Sequence, residues 1–304
     1  MSWLQAHVHT DPARAARVET ALEAAGAVSV TLLDAADDPV LEPPPGETPL
    51  WAHVRVTGLF DGTADADGLR AMLSTVLDDD SALRIEPLQD QVWERAWLEH
   101  FPPMRFGRRL WVIPGGQTAS LADGDVAVEL DPGLAFGTGT HATTALCLDW
   151  LDGLDLAGRK VIDLGCGSGI LAIAALKLGA AGAVAIDHDP QALLATRENA
   201  VRNGVADRLA VLGSGAPAPA DVVVANILAG TLIELAPEIV AMLRPGGRLA
   251  LSGILAERVD DVAAAYSGSD LPATGLSPLQ GAIRLSPPVL RDGWALLHGT
   301  LGRG

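Results

Sequence analysis

One short segment restricts the possible folds of this chain more than any other. The run "KVIDL" (160–164) is aliphatic and β-branched, and it leads through the turn "GCGSG" (165–169) into an apolar segment with helical character. Gly165 and Gly167 allow a tight turn and a close approach of backbone to ligand that a side chain would block. Asp187 ends the next predicted strand, 22 residues after Gly165, where a carboxylate can accept hydrogen bonds from ribose hydroxyls. Together these features predict a βαβ nucleotide-binding unit.

Strands and helices alternate from residue 155 onward. The predicted strands are continuous runs of Val, Ile, Leu and Ala, as expected when helices cover both faces of a parallel sheet. One helix is predicted over "TLIELAPEIVAML" (231–243), and the segment 275–301 lacks helical periodicity and predicts closing antiparallel strands. The pattern indicates an α/β fold with a doubly wound sheet.

The first hundred residues have a different organisation. Alternating runs and helical segments follow one another in the order βαββαβ, which predicts a small α+β ferredoxin-like domain over residues 1–89. Residues 90–103 are expected to form a linker helix ahead of a catalytic domain at 104–304. Trp93 and Trp97 are four apart and share one face of that helix, where they either pack against a neighbouring domain or form a binding platform.

Charge and cysteine content exclude several functions. Residues 1–100 contain 18 Asp and Glu against 6 Arg, a net charge of −12, and the remainder carries −5. Such acidity maintains solubility, or attracts a basic macromolecule, and it disfavours nucleic acid binding. Cys147 and Cys166 are too few for a disulfide framework or a metal site, and are read as buried fillers rather than as a catalytic thiol. No apolar run has the length of a membrane span and no signal sequence is present, which predicts a soluble cytoplasmic protein.

Glycine spacing favours one class of cofactor. In a dinucleotide fingerprint counted from Gly165 the third glycine falls at position 170, where Ile170 stands instead. "DLGCGSG" resembles the DxGxGxG motif of S-adenosylmethionine-dependent methyltransferases with a Rossmann-like sheet, more than it resembles a dehydrogenase. In that class the loop passes beside the methionine part of the cofactor. Gly213 and Ser214 stand where the class often has an acid facing adenine, so the adenine contacts stay unassigned.

Asn226 ends the fourth predicted strand of the sheet, "DVVVAN", and faces the crevice in which such sheets bind ligands. In amine and amide methyltransferases an Asn or Asp here, usually within NPPY, orients the acceptor nitrogen. This chain has "NILA", without the two prolines or the aromatic ring. The alternative is an Asn that caps the following loop. No residue is indicated as a general base, although a site of low dielectric lowers an amine's pKa without one.

A second glycine-rich segment, "AFGTGTHATT" (135–144), precedes the first central strand and so lies outside the nucleotide-binding βαβ unit. Its glycines allow it to fold over the cofactor crevice, which Phe136 is expected to cover. Thr138 or Thr140 is predicted to cap the helix that follows. His141 is either structural or a base, and a plain helix-capping turn is the alternative for the whole segment.

Long motifs between residues 90 and 250 carry a family resemblance. "WERAWLEHFPPMRFGRRLWVIP", "LDPGLAFGTGTHATTALCLDWL", "VIDLGCGSGILAIAALKLGA", "ENAVRNGV" and "DVVVANILAG" resemble the bacterial family that methylates ribosomal protein L11. The resemblance implies cofactor contacts at Thr144, Gly165, Asp187 and Asn226, with Phe136 and Gly167 as secondary contacts. Ala142 stands where the family commonly has Pro, and Ala suits a helix start almost as well. Residues 1–90 match in size and arrangement.

The resemblance implies a protein N-methyltransferase. It would transfer methyl groups from S-adenosylmethionine to lysine side chains and the N-terminal amine of a basic large-subunit ribosomal protein, with Asn226 orienting the acceptor amine. The N-terminal domain would recognise this protein, and domain movement would present several amines. A monomer without a metal is expected. The alternatives are a methyltransferase for another protein or a small molecule, and a catalytically silent ribosome assembly factor.

Overall fold

The computed structural model describes residues 3–36, 49–75, 77, 83–88, 102–130, 140–267 and 283–302. The chain divides into two compact units, residues 1–93 and 94–304. The predicted linker helix over 90–103, with Trp93 and Trp97, lies outside the described residues except for its last two positions. In the parts of the chain described, no helix is long and apolar enough to cross a membrane.

The first unit has the ferredoxin-like arrangement that the sequence predicts. Its elements are β1 (Trp3–Thr10), α1 (Pro12–Ala24), β2 (Ser29–Asp34), β3 (Val54–Asp61), α2 (Ala66–Ser74) and β4 (Leu83–Leu88). The strands lie in the order β2-β3-β1-β4 with every neighbouring pair antiparallel. Alternate strand residues such as Ala6 and Val8 are buried with Leu22 of α1 and Leu69 of α2, so both helices cover one face of the sheet.

The second unit begins with a small sheet and continues into the doubly wound one. The small sheet contains β5 (Met104–Phe106), β6 (Leu110–Pro114) and β7 (Val126–Leu130). The remaining elements are α3 (Ala142–Asp152), β8 (Lys160–Leu164), α4 (Ile170–Lys177), β9 (Gly182–Ile186), α5 (Pro190–Arg202), β10 (Leu209–Leu212), β11 (Ala220–Asn226), α6 (Ala229–Glu234), α7 (Ala236–Ala241), β12 (Leu243–Leu255), α8 (Val259–Tyr266), β13 (Ile283–Leu285), β14 (Val289–Arg291) and β15 (Trp294–Leu301).

The large sheet has a topological switch point at its centre. Its order is β10-β9-β8-β11-β12-β15-β13, with β14 paired to β15. The strands from β10 to β12 are parallel, and β15 runs antiparallel to β12 and to its other neighbours. From β8 the chain moves first to β9 on one side and later to β11 on the other. A crevice therefore opens at the carboxyl ends of β8 and β11, which is where ligands bind in such sheets.

Two hydrophobic cores lie on the two faces of this sheet. In β8, Val161 contributes to the cluster that contains α3 and α4, and its neighbour Ile162 contributes to the cluster that contains α6, α7 and α8. Because successive side chains of a strand point to opposite faces, a strand covered on both sides is apolar throughout. This explains the unbroken aliphatic runs in the sequence.

The single helix predicted over residues 231–243 is wrong. The structure has two short helices there, α6 and α7, separated at Leu235, with Pro237 in the first turn of α7. Proline has no N–H to donate and its ring clashes with the carbonyl four residues earlier, so it ends one helix and suits the start of another.

Candidate active site

The glycine turn after β8 has a backbone conformation that side chains rarely adopt. Gly165 has φ +74°, and the residues Gly167 and Gly169 are also left-handed. A Cβ placed on Gly165 would collide with the side chain of Ile227, which follows β11. Glycine at this position therefore allows the ends of β8 and β11 to approach closely, as well as allowing the turn itself.

Asp187 is fixed by backbone amides on both of its carboxylate oxygens. The N–H of Gly167 donates to Oδ2 at 2.9 Å, and the N–H of Asp189 donates to Oδ1 at 3.0 Å. The side chain is 11% exposed. Each carboxylate oxygen can accept a second hydrogen bond, so the two ribose hydroxyls of a nucleoside still have acceptors here.

Helix α5 supports the glycine turn from behind, through two residues that the sequence analysis did not single out. The hydroxyl of Thr196 donates to the carbonyl of Gly167 at 2.9 Å, and the amide of Asn199 donates to the carbonyl of Ser168 at 3.0 Å. Thr196 and Asn199 are almost completely buried. These bonds satisfy carbonyls that the left-handed turn leaves without partners, and hold the turn in one conformation.

Asp163, the first residue of the "DLGCGSG" motif, is fully buried beneath the same turn. Its Oδ2 accepts a hydrogen bond from the N–H of Ala172 in the first turn of α4 at 3.0 Å, and among the described residues Oδ1 has no partner. Burial raises the pKa of this carboxyl to about 7; the bond from Ala172 opposes that shift, and the charge of Asp187 adds to it.

Replacing Asp163 with asparagine is expected to change how stability depends on pH. The pKa in the folded protein lies above that of an unfolded aspartate, so the carboxyl favours folding below about pH 4 and loses this contribution as the pH rises to about 7. Between pH 5 and pH 8 the free energy of unfolding of the wild type, relative to Asp163→Asn, should fall by about 3 kcal/mol. Denaturant unfolding at several pH values measures this. A difference that stays constant with pH would contradict it.

Asn226 lies where the sequence places it, at the carboxyl end of β11. Its Nδ2 donates to Oγ1 of Thr144 at 3.3 Å. Its Oδ1 is buried and has no hydrogen-bond partner among the described residues. A buried carbonyl oxygen without a partner costs on the order of 1–3 kcal/mol, so it is expected to have a partner when the site is in use.

The start of α3 differs from the prediction. His141 is the N-cap, not Thr140: its Nδ1 lies 2.8 Å from Oγ1 of Thr143 and 3.4 Å from the backbone nitrogen of Thr143. An imidazole nitrogen can replace a capping hydroxyl when it accepts from the first-turn amide. Thr144 follows in the first turn and is buried. Residues 131–139, including Phe136 and Thr138, lie outside the described residues.

Both thiols are free and buried, as the sequence predicts. Burial raises the pKa of Cys166 to about 12, so its thiol is protonated near neutral pH and a poor nucleophile. Burial raises the pKa of Cys147 further in the same direction. No group of three metal-ligating side chains is assembled in the described ranges.

One cavity of about 990 Å³ joins these features. It is lined by all four residues predicted to contact the cofactor, Thr144, Gly165, Asp187 and Asn226. Gly213, after β10, also lines it, and aliphatic side chains such as Ile186 and Leu171 form much of the wall. The residues fit S-adenosylmethionine: Asp187, after β9, has acceptors for a ribose, and Asn226, at the end of β11, lies on the other side of β8. The volume is at the upper end for small-molecule sites, which leaves space for an acceptor group.

The order of the large sheet, the glycine turn and this cavity define a methyltransferase with a Rossmann-like fold that depends on S-adenosylmethionine. The family model described as Ribosomal protein L11 methyltransferase (PrmA) matches residues 2–272 of the chain. The chain therefore belongs to the ribosomal protein L11 methyltransferase family, and it is a protein methyltransferase.

Individual relatives agree with this assignment. The chain is 52% identical over 304 residues to the Ribosomal protein L11 methyltransferase of Azotobacter vinelandii, with 99% of each chain covered. It is also 52% identical over 303 residues to that of Methylococcus capsulatus, covering 98% of this chain and 99% of the relative. The crystal structure of ribosomal protein L11 methylase from Lactobacillus delbrueckii subsp. bulgaricus is 28% identical, with a TM-score of 0.58, and covers 66% of this chain and 100% of that one.

Proposed function

We propose that this chain methylates amino groups of ribosomal protein L11, at lysine side chains and at the N-terminal amine. The observation that carries the choice of an amine is Asn226. Asn226 lines the cavity, its amide is held through Nδ2 by Thr144, and its buried Oδ1 has no partner among the described residues. An oxygen held in this way accepts one N–H of an amine and directs the nitrogen lone pair.

The proposed role of each residue follows from the chemical groups that line the cavity. Asp187 and the glycine turn at Gly165 bind the ribose and methionine parts of the cofactor, and Thr144 and Asn226 contact it from the other side. When bound, S-adenosylmethionine would supply a methyl group activated by its sulfonium, with the neutral thioether as the leaving group. The acceptor amine loses one proton to solvent, and the apolar cavity wall favours its neutral form. Placement of donor and acceptor in line then supplies much of the acceleration.

We further propose that the N-terminal domain, residues 1–89, recognises the ribosomal protein, and that residues 104–304 carry out the transfer. The support is electrostatic. The net charge of −12 over residues 1–100 attracts a basic protein and speeds its encounter. Such a substrate places the enzyme in the cytoplasm, where it would act as a monomer.

Purified protein incubated with methyl-labelled S-adenosylmethionine and ribosomal protein L11 tests this function. Label is expected on amino groups, and mass spectrometry of the proteolysed product gives the sites and the number of methyl groups. A matched reaction with L11 whose amines have been acetylated should incorporate no label. Absence of label on the unmodified protein would reject the proposal, and so would label that persists after acetylation.

A further inference from the structure

An indole lies beside the helix turn that holds Asn226. Trp294 begins β15 and lines the same cavity as Asn226. Its ring meets that of His141 edge to face, with the centroids 4.9 Å apart and the planes at 69°. His141 caps α3 three residues before Thr144, so the two residues lie at the start and the end of the first turn of that helix. The first turn of α3 therefore has Trp294 against one residue and Asn226 against another.

The backbone next to Trp294 and the first turn of α3 are both hydrogen-bonded to one residue, Ser252. Ser252 in β12 is paired in register with Asn226. Its hydroxyl lies 3.1 Å from the carbonyl of Ala295 and 3.3 Å from the carbonyl of Thr143, and shares its single proton between them. One buried hydroxyl thus links the residue after Trp294 to the helix turn that carries Thr144. This link holds the backbone beside Trp294 in place relative to the helix turn that contacts Asn226.

Few charged side chains line the cavity. Among the described residues that line it, Asp187 is the only carboxylate, and its two oxygens accept from the backbone amides of Gly167 and Asp189. The "NILA" segment lacks the aromatic ring that accompanies the asparagine in NPPY. Apart from Asp187, an alkylammonium group that enters the cavity meets no acid among its described lining residues, and the face of the Trp294 ring can attract it. Trp is the aromatic side chain that binds cations best.

We propose that Trp294 determines acceptor specificity, by forming the aromatic wall against which an aliphatic amine and its methylated forms pack. This role of Trp294 rests on the proposed function, because it requires the methyl acceptor to be an amine. Each methylation removes an N–H that Asn226 can accept, while the product keeps its charge and gains apolar surface. The ring therefore continues to bind mono- and dimethylated amines after the asparagine contact has weakened.

Kinetics of Trp294→Leu and Trp294→Phe test this role. Leucine removes the π face, and KM for ribosomal protein L11 should rise about tenfold, whereas phenylalanine keeps a ring and should raise it less than about threefold. The dissociation constant of S-adenosylhomocysteine should stay within about twofold in both. Trp111→Leu is the matched control, because Trp111 belongs to β6 and does not line the cavity. An unchanged KM in Trp294→Leu, or a loss of cofactor affinity equal to the rise in KM, would overturn the proposal.

A binding measurement keeps this proposal separate from the choice of protein substrate. The full chain loaded with S-adenosylhomocysteine is titrated with Nα-acetyl-Nε-trimethyllysine methylamide and with Nα-acetylnorleucine methylamide, which lacks the cation. The indole N–H signal that disappears in Trp294→Phe should shift with the first compound and not with the second. No shift, or an equal shift with both, rejects the role of Trp294. A selective shift in a protein that fails to label L11 rejects the proposed substrate alone.

Discussion

Replacement of Asn226 by alanine is expected to lower kcat for methyl transfer to L11 by about 100- to 1,000-fold, the usual effect of removing one preorganised polar group at a reacting centre. The alanine removes the buried, unpartnered Oδ1 of a residue that lines the cavity, and leaves Oγ1 of Thr144 without the Nδ2 donor. The dissociation constant of the cofactor should rise at most about fivefold, because Asp187 and the glycine turn are unchanged. Single-turnover rates and calorimetric titration separate the two effects.

Asn226→Asp is the matched variant. It keeps an acceptor oxygen on the same strand end, and the hydroxyl of Thr144 can then donate to the carboxylate instead of accepting. We expect a loss of about tenfold in kcat, well short of the alanine variant. If Asn226→Ala stays within fivefold of the wild type, Asn226 does not orient the amine. If the two variants lose activity equally, an acceptor oxygen at position 226 is not what determines kcat.

Much of the fold could be predicted because its signals are local. The aliphatic runs of β8, β9 and β11 and the helical segments between them each depend on neighbouring residues. The break between α6 and α7 was missed because apolar periodicity continues across Pro237, although the proline removes a hydrogen bond there. The cap at His141 was missed because histidine is a less common capping residue than the threonines before it.

The site residues that could be predicted are those that the order of the parallel strands brings together. Those that depend on tertiary packing could not be predicted. Gly165, Asp187 and Asn226 each follow or end a parallel strand, and the carboxyl ends of parallel strands meet at one edge of the sheet. The bond between Asn226 and Thr144 joins residues 82 positions apart, so no local pattern reveals it, and Thr144 was assigned from family resemblance alone. Trp294 begins an antiparallel strand without any motif, and only the tertiary structure brings it to the cavity.

Helix α5 shows a weaker signal that was available. Thr196 and Asn199 are polar residues three apart on the side of the helix that also buries Ala192 and Ala200. Polar side chains on a buried helical face require hydrogen-bond partners, and here the partners are the carbonyls of the glycine turn. Their spacing indicates a shared partner but does not identify it.

Asp187→Asn is expected to raise the dissociation constant of S-adenosylmethionine about 100-fold, equivalent to roughly 2.7 kcal/mol. Both carboxylate oxygens accept from backbone amides, of Gly167 and of Asp189. Either orientation of an asparagine amide therefore points its NH₂ at a backbone N–H and leaves two donors facing each other. The ribose also loses hydrogen bonds to a charged acceptor, which are the stronger kind. Calorimetric titration with the cofactor measures the change, and kcat at saturating cofactor should fall less than about fivefold.

Asp189→Asn is the control for charge. It removes one negative charge two residues away from Asp187, and asparagine caps α5 as well as aspartate does, by accepting from the N–H of Gln191. The backbone N–H at position 189 still donates to Asp187 in this variant, so the cofactor's dissociation constant should stay within about twofold of the wild type. An equal loss in both variants would show that the local negative charge, rather than the fixed carboxylate, governs binding. Affinity within fivefold of the wild type in Asp187→Asn would mean that the ribose is held elsewhere in the cavity.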